Sequence, residues 1–339
     1  MTVTATEIVL PGVVEPSGLQ VRTRELPAPG PGQVVLRVEA TGVSFAEQQM
    51  RLGRYYNQPP FPFVPGYDAV GTVTATGPGV EAGLAGRRFA VVTKVGAWAS
   101  HLVADAAALV AVPDGLDPAD AETVVVNGVT AYQMLFRVAK VRAGQTIVVL
   151  GANGGVGSTL VQLARHAGIT VVGTASARHH ALVERLGATP VDYRDPDLYV
   201  RILGLAPGGV DAVFDHVGGD GLKQSWHLVR KGGTLVSYGT AADKDSPGSP
   251  QMTFLNLFSQ LWMWHLSPNN RSARFYNFWA AAFKKRHNED LAAVFKLLTE
   301  GVLTPQVAAR FPLSQAAEAL ALAESRTVAG KVILTGEPT

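Results

Sequence analysis

An apolar stretch that runs directly into a glycine-rich turn is the feature that most constrains the fold of this 339-residue chain. Residues 145–157 read QTIVVLGANGGVG. Residues 146–150 form a short, β-branched and apolar run, which is typical of a strand buried on both faces of a parallel sheet. Apolar residues at helical spacing follow at Val156, Leu160, Val161 and Leu163. The pattern predicts a strand, a tight turn and a helix.

The turn has the chemistry of a dinucleotide site. Gly154 and Gly155 have no side chain, so a diphosphate can approach the backbone there. The N-terminus of the following helix favours an anion. Gly157 lets the helix and the strand pack closely. The fingerprint G-x-G-x-x-G is incomplete, because Ala152 stands at its first glycine. A plain strand–helix turn also carries such glycines, but a second strand at 170–174 completes a βαβ unit and favours nucleotide binding. The predicted cofactor contacts in the turn are Ala152, Asn153, Gly154, Gly155, Val156 and Gly157.

Composition indicates a folded protein of two domains, with 47% hydrophobic and 17% charged residues. The net charge of +2 is dispersed, and the one dense basic run, at 284–287, favours a solvated helix end over a nucleic-acid or membrane patch. The absence of cysteine excludes disulfides, thiol catalysis and thiolate-bound zinc. Neither a secretory signal nor a membrane-spanning run is visible. We therefore expect a cytoplasmic protein with no nucleic-acid or membrane partner.

The pattern of secondary-structure signals along the chain changes near residue 122. Before it, short strand patterns at 33–40, 69–76, 87–92 and 99–103 are separated by Pro- and Gly-containing turns. From 123 onward, strand and helix signals alternate, which predicts a parallel sheet covered by helices. Two helix patterns, at about 289–300 and 314–324, precede a strand pattern at 330–334. The predicted fold class is α/β, with a β-rich domain and a doubly wound parallel-sheet domain.

Six motifs spread over nearly the whole chain carry a family resemblance: 42–47, 65–68 with Gly71, 127–132, 151–157, 215–219 and 330–332. Together they resemble the zinc-independent medium-chain dehydrogenase/reductases, in particular the quinone oxidoreductase-like and enoyl-reductase branches. The resemblance implies a GroES-like catalytic domain at 1–122, completed by about 290–339, and a Rossmann NADP-binding domain at 123–289. It also implies a nicotinamide cofactor in the cleft and a homodimer.

The resemblance also bears on the reaction. Zinc-dependent members of this family carry a cysteine near the position of Ser44, a histidine at Tyr67 and a lobe of four further cysteines, all of which are missing here. Without Zn²⁺ to polarise an oxygen, hydride delivery to a conjugated carbonyl compound remains, namely a quinone or an α,β-unsaturated ketone or acyl group. The chain departs from its own branch too, because asparagine, a nicotinamide contact, is commoner at Ser44 and aspartate is frequent at Glu47.

The absence of an acidic residue after the glycine turn distinguishes NADP(H) from NAD as the predicted cofactor. An NAD site needs an acidic residue about 20 residues past the glycine turn, but 123–183 contains neither Asp nor Glu. Ser176 and Arg178 instead offer a donor and a positive charge to a 2′-phosphate, which predicts NADP(H). Alternatively, Ser176 caps a helix and Arg178 is an exposed first-turn residue. The resemblance adds further cofactor contacts at Thr130, Tyr193, Val217, Gly239 and Lys331. Tyr193 and Lys331 are equally well explained as strand-end residues, and we expect Asp215 to order the turn around Val217.

Three side chains are predicted to be catalytic: Ser44, Tyr55 and Tyr67. Hydride addition to an enone places charge on the carbonyl oxygen, so the site needs hydrogen-bond donors and a proton source. The resemblance places Tyr55 where polyketide enoyl reductases carry a proposed proton-donating tyrosine, but Tyr55 would also serve as an aromatic lid. Tyr67 would donate to a substrate oxygen or fill the space of the absent metal, and Tyr56 is a poorer candidate. No metal-ligand spacing is visible.

Residues 254–279 carry an unusually dense set of aromatic side chains. Core packing or a dimer face explains them most simply, and a wide apolar pocket for a bulky substrate is the alternative. A second alternative concerns the whole protein: the same fold also serves as a nucleotide-binding sensor with little turnover. From the sequence we favour an NADPH-dependent, zinc-independent reductase of conjugated carbonyl compounds.

Overall fold

The computed structural model describes residues 3–243 and 249–336. Its strands are β1 (Val3–Val9), β2 (Gln20–Leu26), β3 (Gln33–Val43), β4 (Asp68–Thr76), β5 (Arg88–Val92), β6 (His101–Asp105), β7 (Val110–Ala111), β8 (Thr146–Val149), β9 (Thr170–Ala175), β10 (Thr189–Asp192), β11 (Val210–Asp215), β12 (Val229–Ser237), β13 (Ser272–Phe275), β14 (Val307–Pro312) and β15 (Lys331–Thr335). Its helices are α1 (Phe45–Arg51), α2 (Pro118–Thr123), α3 (Val126–Tyr132), α4 (Gly155–His166), α5 (His180–Leu186), α6 (Leu198–Leu205), α7 (Leu222–Leu228), α8 (Pro250–Leu266), α9 (Ala281–Lys284), α10 (His287–Thr299) and α11 (Ala316–Glu324).

The chain divides into two compact units. Unit 1 comprises Met1–Val129 and Asn288–Thr339, and unit 2 comprises Thr130–His287. The division at 129/130 lies inside α3, whereas the change in sequence texture places a domain boundary at 122/123, before that helix. The second division, at 287/288, lies at the start of α10, close to the predicted boundary near residue 289.

Unit 1 is built on a mixed sheet with the strand order β14-β15-β3-β4-β5-β7, to which β6 adds by pairing with β3. Strand β15, late in the chain, runs antiparallel to β3 and parallel to β14. Alternating apolar residues of β3 and β4 point into one core, including Val34, Leu36 and Val73. Trp98 is fully buried in a second core cluster, and its indole N–H donates to the Gly42 carbonyl at 2.9 Å.

Unit 2 is a sheet of six parallel strands in the order β10-β9-β8-β11-β12-β13. The order runs outward in both directions from β8, which is the arrangement of doubly wound dinucleotide-binding folds. Strands β8 and β11 are buried on both faces, which explains their continuous apolar sequence. The predicted α/β fold class is confirmed. None of the helices in the described ranges has the length and apolar character needed to cross a bilayer.

Candidate functional site

The glycine turn between β8 and α4 leaves no room for side chains at two positions. Gly151 has a φ of +68°, and a Cβ there would lie 2.5 Å from the His216 ring. A Cβ on Gly157 would lie 2.1 Å from the Gly151 carbonyl oxygen. Helix α4 begins at Gly155 with Gly154 as an extended N-cap, so its first N–H groups have no intrahelical acceptor. This backbone cradle fits a diphosphate, as the sequence predicts.

Ala152, the departure from the glycine fingerprint, is accommodated by a glycine on the neighbouring strand. Ala152 is fully buried, and a Cβ on Gly173 of β9 would lie 2.7 Å from the Ala152 methyl group. The methyl group therefore occupies the space that Gly173 leaves. The incomplete fingerprint thus keeps its geometry through a compensating glycine that the fingerprint itself does not include.

Four more of the predicted cofactor residues follow the carboxyl ends of the other strands in unit 2. Ser176 follows β9, Tyr193 follows β10, Val217 follows β11 and Gly239 lies shortly after β12. Neighbouring strand ends are joined, since the Tyr193 N–H donates to the Ala175 carbonyl at 3.3 Å. Because the strands are parallel, these residues and the glycine turn lie along one edge of the sheet, where doubly wound folds bind ligands.

Ser176 is 4% exposed, and its side chain makes no capping bond to the short 3-10 turn at Ala177–His179. The alternative that Ser176 serves as a side-chain cap is therefore not supported. Arg178 is exposed, and its Nε donates to Nε2 of His179 at 3.2 Å. A hydroxyl and a guanidinium at this strand end suit a phosphate better than a ribose hydroxyl.

Tyr193 is 51% exposed, so it is not a packed strand-end residue. The Arg194 guanidinium lies over its ring, 5.3 Å from the centroid. Strand end β10 therefore presents an exposed aromatic ring together with a cation.

Asp215 orders the turn after β11, as predicted. It is fully buried, and its Oδ1 accepts the N–H groups of Val217 at 2.8 Å and Gly218 at 2.9 Å. Thr130, at the start of unit 2 in α3, is 7% exposed. Contacts of Val217, Gly239 and Thr130 with a cofactor stay predictions.

Lys331 lies in unit 1, where two carboxylates bind its ammonium group. Its Nζ is 2.7 Å from Glu122 Oε1 and 3.1 and 3.2 Å from the two carboxyl oxygens of Asp68. A Cβ on Gly42 would lie 2.0 Å from the Lys331 side chain, so a larger residue there would displace Lys331 from its position beside Glu122. Asp68 also accepts the Val126 N–H at the start of α3. Sequence reasoning missed this cluster. In the structure Lys331 serves as the counter-ion of two buried carboxyl groups. A contact of Lys331 with a cofactor stays a prediction.

The structure brings together two of the three predicted catalytic residues, both in unit 1. The Tyr55 and Tyr67 hydroxyls are 2.9 Å apart, and the rings meet edge to face with centroids 6.2 Å apart. Tyr67 is 5% exposed and Tyr55 is partly buried. Tyr56 is 49% exposed.

Ser44, the third, is the N-cap of α1 in a capping box with Glu47. The Ser44 Oγ accepts the Ala46 N–H at 3.1 Å, and Glu47 Oε2 accepts the Ser44 N–H at 2.8 Å. The Ser44 hydroxyl and Glu47 Oε2 also form a direct hydrogen bond. Burial raises the pKa of the Glu47 carboxyl, and the nearby Asp68 carboxylate raises it further.

The aromatic-rich segment divides between two environments. Trp264 stacks on Trp226 with centroids 5.4 Å apart, against the core of unit 2. Trp262, on the same helix, is 65% exposed. Within residues 3–243 and 249–336, no group of three or more metal-ligating side chains is suitably arranged to hold an ion.

Comparison with known proteins identifies the family. Residues 30–114 match the alcohol dehydrogenase GroES-like domain, and residues 186–334 match the family described as zinc-binding dehydrogenase. The synaptic vesicle membrane protein VAT-1 homolog of Rattus norvegicus is 33% identical over 94% of this chain and 81% of its own length. A probable quinone oxidoreductase of Schizosaccharomyces pombe is 31% identical over 94% of this chain and 93% of its own.

Among solved structures, a mycobacterial protein complexed with NADPH superposes with a TM-score of 0.83 at 29% identity. The superposition covers 98% of this chain and 99% of the other. Its cofactor is the one that Ser176 and Arg178 predict for this chain. The β-rich unit is thus GroES-like, and the parallel-sheet unit is a Rossmann domain. The chain belongs to the medium-chain dehydrogenase/reductase superfamily, in its quinone oxidoreductase-like branch.

Proposed function

We propose that this protein is an NADPH-dependent oxidoreductase that reduces a conjugated carbonyl compound, a quinone or an α,β-unsaturated ketone or enoyl group, without zinc. The observation that carries the proposal is the Tyr55–Tyr67 hydroxyl pair, which offers a carbonyl oxygen a hydrogen-bond donor. The NADPH complex of the mycobacterial neighbour and the quinone oxidoreductase relative support the cofactor and the reaction class.

The residues that would hold NADPH all belong to unit 2. The first N–H groups of α4 would bind the diphosphate. Ser176, Arg178 and Tyr193 would bind the 2′-phosphate, since this strand end offers a hydroxyl and a positive charge but no carboxylate between residues 123 and 183. Thr130, Val217 and Gly239 would contact the nicotinamide half.

When bound, NADPH supplies a hydride, so the protein must stabilise the negative charge that develops on the substrate oxygen. The two tyrosine hydroxyls hydrogen-bond to each other, and a phenolic O–H can donate a hydrogen bond to a carbonyl oxygen. We assign such a hydrogen bond from this pair to the substrate carbonyl oxygen. A donor fixed before the reaction stabilises the developing oxyanion without reorganisation, which is a large catalytic effect.

Zinc independence rests on residue chemistry. Serine and tyrosine occupy the positions at which zinc-dependent relatives carry a cysteine and a histidine, and the chain has no cysteine. Without a Lewis acid, the substrate must already be activated by conjugation.

We expect the purified protein to oxidise NADPH in the presence of a bulky 2-enone or a quinone, and to prefer NADPH to NADH by about ten- to hundredfold. That preference corresponds to the one or two charge-assisted hydrogen bonds that Ser176 and Arg178 would add. Nicotinamide absorbance measures turnover with each acceptor. Tight binding of NADPH without turnover on either acceptor would favour the sensor alternative, and equal use of NADH would contradict the assignment of Ser176 and Arg178.

We also propose that the protein is a homodimer that buries the outer face of α8. Leu257 and Leu261 of this helix are buried, whereas the opposite side carries a stripe of large apolar residues between 43% and 65% exposed. They are Met252, Leu255, Phe258, Trp262, Met263 and Leu266. Residues 250–266 contain no charged side chain, and the adjacent β13 is an edge strand of the sheet. Both features suit a second copy related by a two-fold axis.

Replacing Trp262 with aspartate should convert the dimer into a monomer, because a carboxylate buried in an apolar interface lacks a partner. Sedimentation velocity at micromolar concentration measures the mass. The matched control is Val200→Asp, which changes a residue of α6 that is 68% exposed and outside the stripe. A wild-type monomer, or an unchanged mass for the Trp262 variant, would contradict this interface.

A further inference from the structure

Four buried ionisable side chains of unit 1, each on a different element, lie close enough to influence one another electrostatically. They are Glu47 of α1, Asp68 of β4, Glu122 of α2 and Lys331 of β15, and none is more than 4% exposed. Lys331 binds Asp68 and Glu122 directly, and the Asp68 charge acts on both Glu47 and Glu122. The cluster therefore contains three carboxyl groups and one ammonium group.

This charge count indicates that the cluster stores protons. One ammonium group can neutralise one carboxylate, and a second or third uncompensated carboxylate in the protein interior is costly. Burial, then the Asp68 charge, raise the pKa of both Glu122 and Glu47. The Lys331 ammonium partly offsets the raised pKa of Glu122. For Glu47, the groups that partly offset the raised pKa are hydrogen-bond donors, namely Ser44 and the Glu47 backbone. Glu47 thus has the Ser44 hydroxyl as its side-chain partner, whereas Glu122 has the Lys331 ammonium.

The Ser44 hydroxyl connects this store to solvent. Ser44 is partly exposed, whereas its hydrogen-bond partner Glu47 is 1% exposed. The second carboxyl oxygen of Glu47, Oε1, is buried and has no hydrogen-bond partner among the described residues. A hydroxyl group can accept one proton while it donates another, so the Ser44 side chain can relay a proton.

We propose that Glu47 supplies, through the Ser44 hydroxyl, the proton that the reduced substrate takes up. The inference rests on the proposed function and names the proton source of that reaction. Hydride adds to the electrophilic carbon, and the π electrons move to the carbonyl oxygen. That oxygen takes the Ser44 hydroxyl proton, Ser44 Oγ takes the Glu47 carboxyl proton, and Glu47 is left as a carboxylate. Water returns a proton along the same path after the product leaves.

Ser44 and Glu47 form the capping box of α1. Helix-capping chemistry alone does not require burial of the acid, because an acidic residue of a first turn can be exposed, as Glu318 is in α11.

The deciding variant is Glu47→Gln, which keeps the capping-box chemistry but has no transferable proton. We expect kcat to fall about 100-fold, the usual scale of general acid catalysis, with the Kd for NADPH unchanged. In the wild type kcat should fall at high pH as Glu47 ionises, and the variant should lose this limb of the profile. Ser44→Ala should behave in the same way, and Ser44→Thr should retain activity. Glu318→Gln, at an exposed first-turn position, is the matched control.

A second readout does not depend on turnover. Infrared difference spectra between neutral and high pH should show the carbonyl stretch of protonated carboxylic acids, and Glu47→Gln should remove the component of this band that remains in Glu122→Gln. Three results would overturn the inference while leaving the proposed function intact. The infrared band could be missing, Glu47→Gln could keep the wild-type pH profile, or the high-pH limb could be lost in Tyr55→Phe alone. No turnover by the wild-type protein on any acceptor would overturn the proposed function, and the proton step with it.

Discussion

Replacing Lys331 with methionine is expected to lower the free energy of unfolding by about 3–5 kcal/mol, the cost of removing one partner from a buried ion pair. The Lys331 ammonium is 2.7 Å from Glu122 and 3.1 Å from Asp68, in a place where neither carboxyl group reaches water. Its loss leaves the acids uncompensated. Because Asp68 also binds the start of α3, we expect local loosening there. Urea unfolding followed by circular dichroism measures the change.

The pH dependence of this variant provides an internal check. The pKa of Glu122 is raised in the folded protein, so its contribution to stability is present below the unfolded pKa and lost as pH rises through the folded pKa. Without Lys331 the pKa of Glu122 rises further, and the deficit of the variant should shrink as the pH is lowered. Glu122→Gln, which resembles the protonated acid, should cost much less. A Lys331→Met protein whose free energy of unfolding lies within about 1 kcal/mol of the wild-type value would contradict the structural role of the cluster.

The second large effect is expected for Gly157→Ala, which should destabilise unit 2 and weaken NADPH binding about 100-fold. The new methyl group would lie 2.1 Å from the Gly151 carbonyl oxygen, and backbone cannot move aside as a flexible side chain does. Helix α4 must therefore shift away from β8, carrying its first N–H groups with it. Loss of two hydrogen bonds to the diphosphate, about 3 kcal/mol in total, gives the stated change in affinity. Fluorescence titration and thermal unfolding measure the two effects.

Gly154→Ala separates the roles of the two glycines. A Cβ on Gly154 would have the Gly151 carbonyl at 3.4 Å as its nearest neighbour, an ordinary contact, and its backbone conformation suits any residue. We expect the Gly154 variant to keep the wild-type melting temperature and to lose affinity for NADPH, since the methyl group would stand where the diphosphate approaches. If the two variants lost stability equally, the proposed difference between packing and binding would be wrong.

The parallel-sheet unit could be predicted from the sequence because its signals are local. The apolar run of β8, the glycine turn and the helical spacing of α4 are contiguous, and parallel strands bring their carboxyl ends to one edge whatever the loops contain. Ser176 could therefore be placed on that edge from the sequence pattern, whereas Tyr193 and Val217 depended on the family resemblance. Strand limits were less accurate: β3 extends to Val43 rather than to residue 40, since pairing with β15 prolongs it.

The buried cluster could not be predicted, because its members are distant in sequence. Lys331 is 209 residues from Glu122 and 263 from Asp68, and no spacing rule connects them. Glu47 is different. Its position three residues after Ser44 fits the capping-box pattern, which could have revealed the pair had the two residues been considered as a helix start. The tyrosine pair depended on family resemblance, because Tyr55 and Tyr67 follow no local pattern.

Strand β15 has a consequence for the order in which the protein can fold during synthesis. It lies between β14 and β3, so the sheet of unit 1 has a gap until this late segment of the chain is made. Unit 2, continuous from Thr130 to His287, is complete earlier and can fold without waiting. Strand β15 also carries Lys331. The sheet of unit 1 is therefore completed only after the counter-ion of Asp68 and Glu122 has been synthesised.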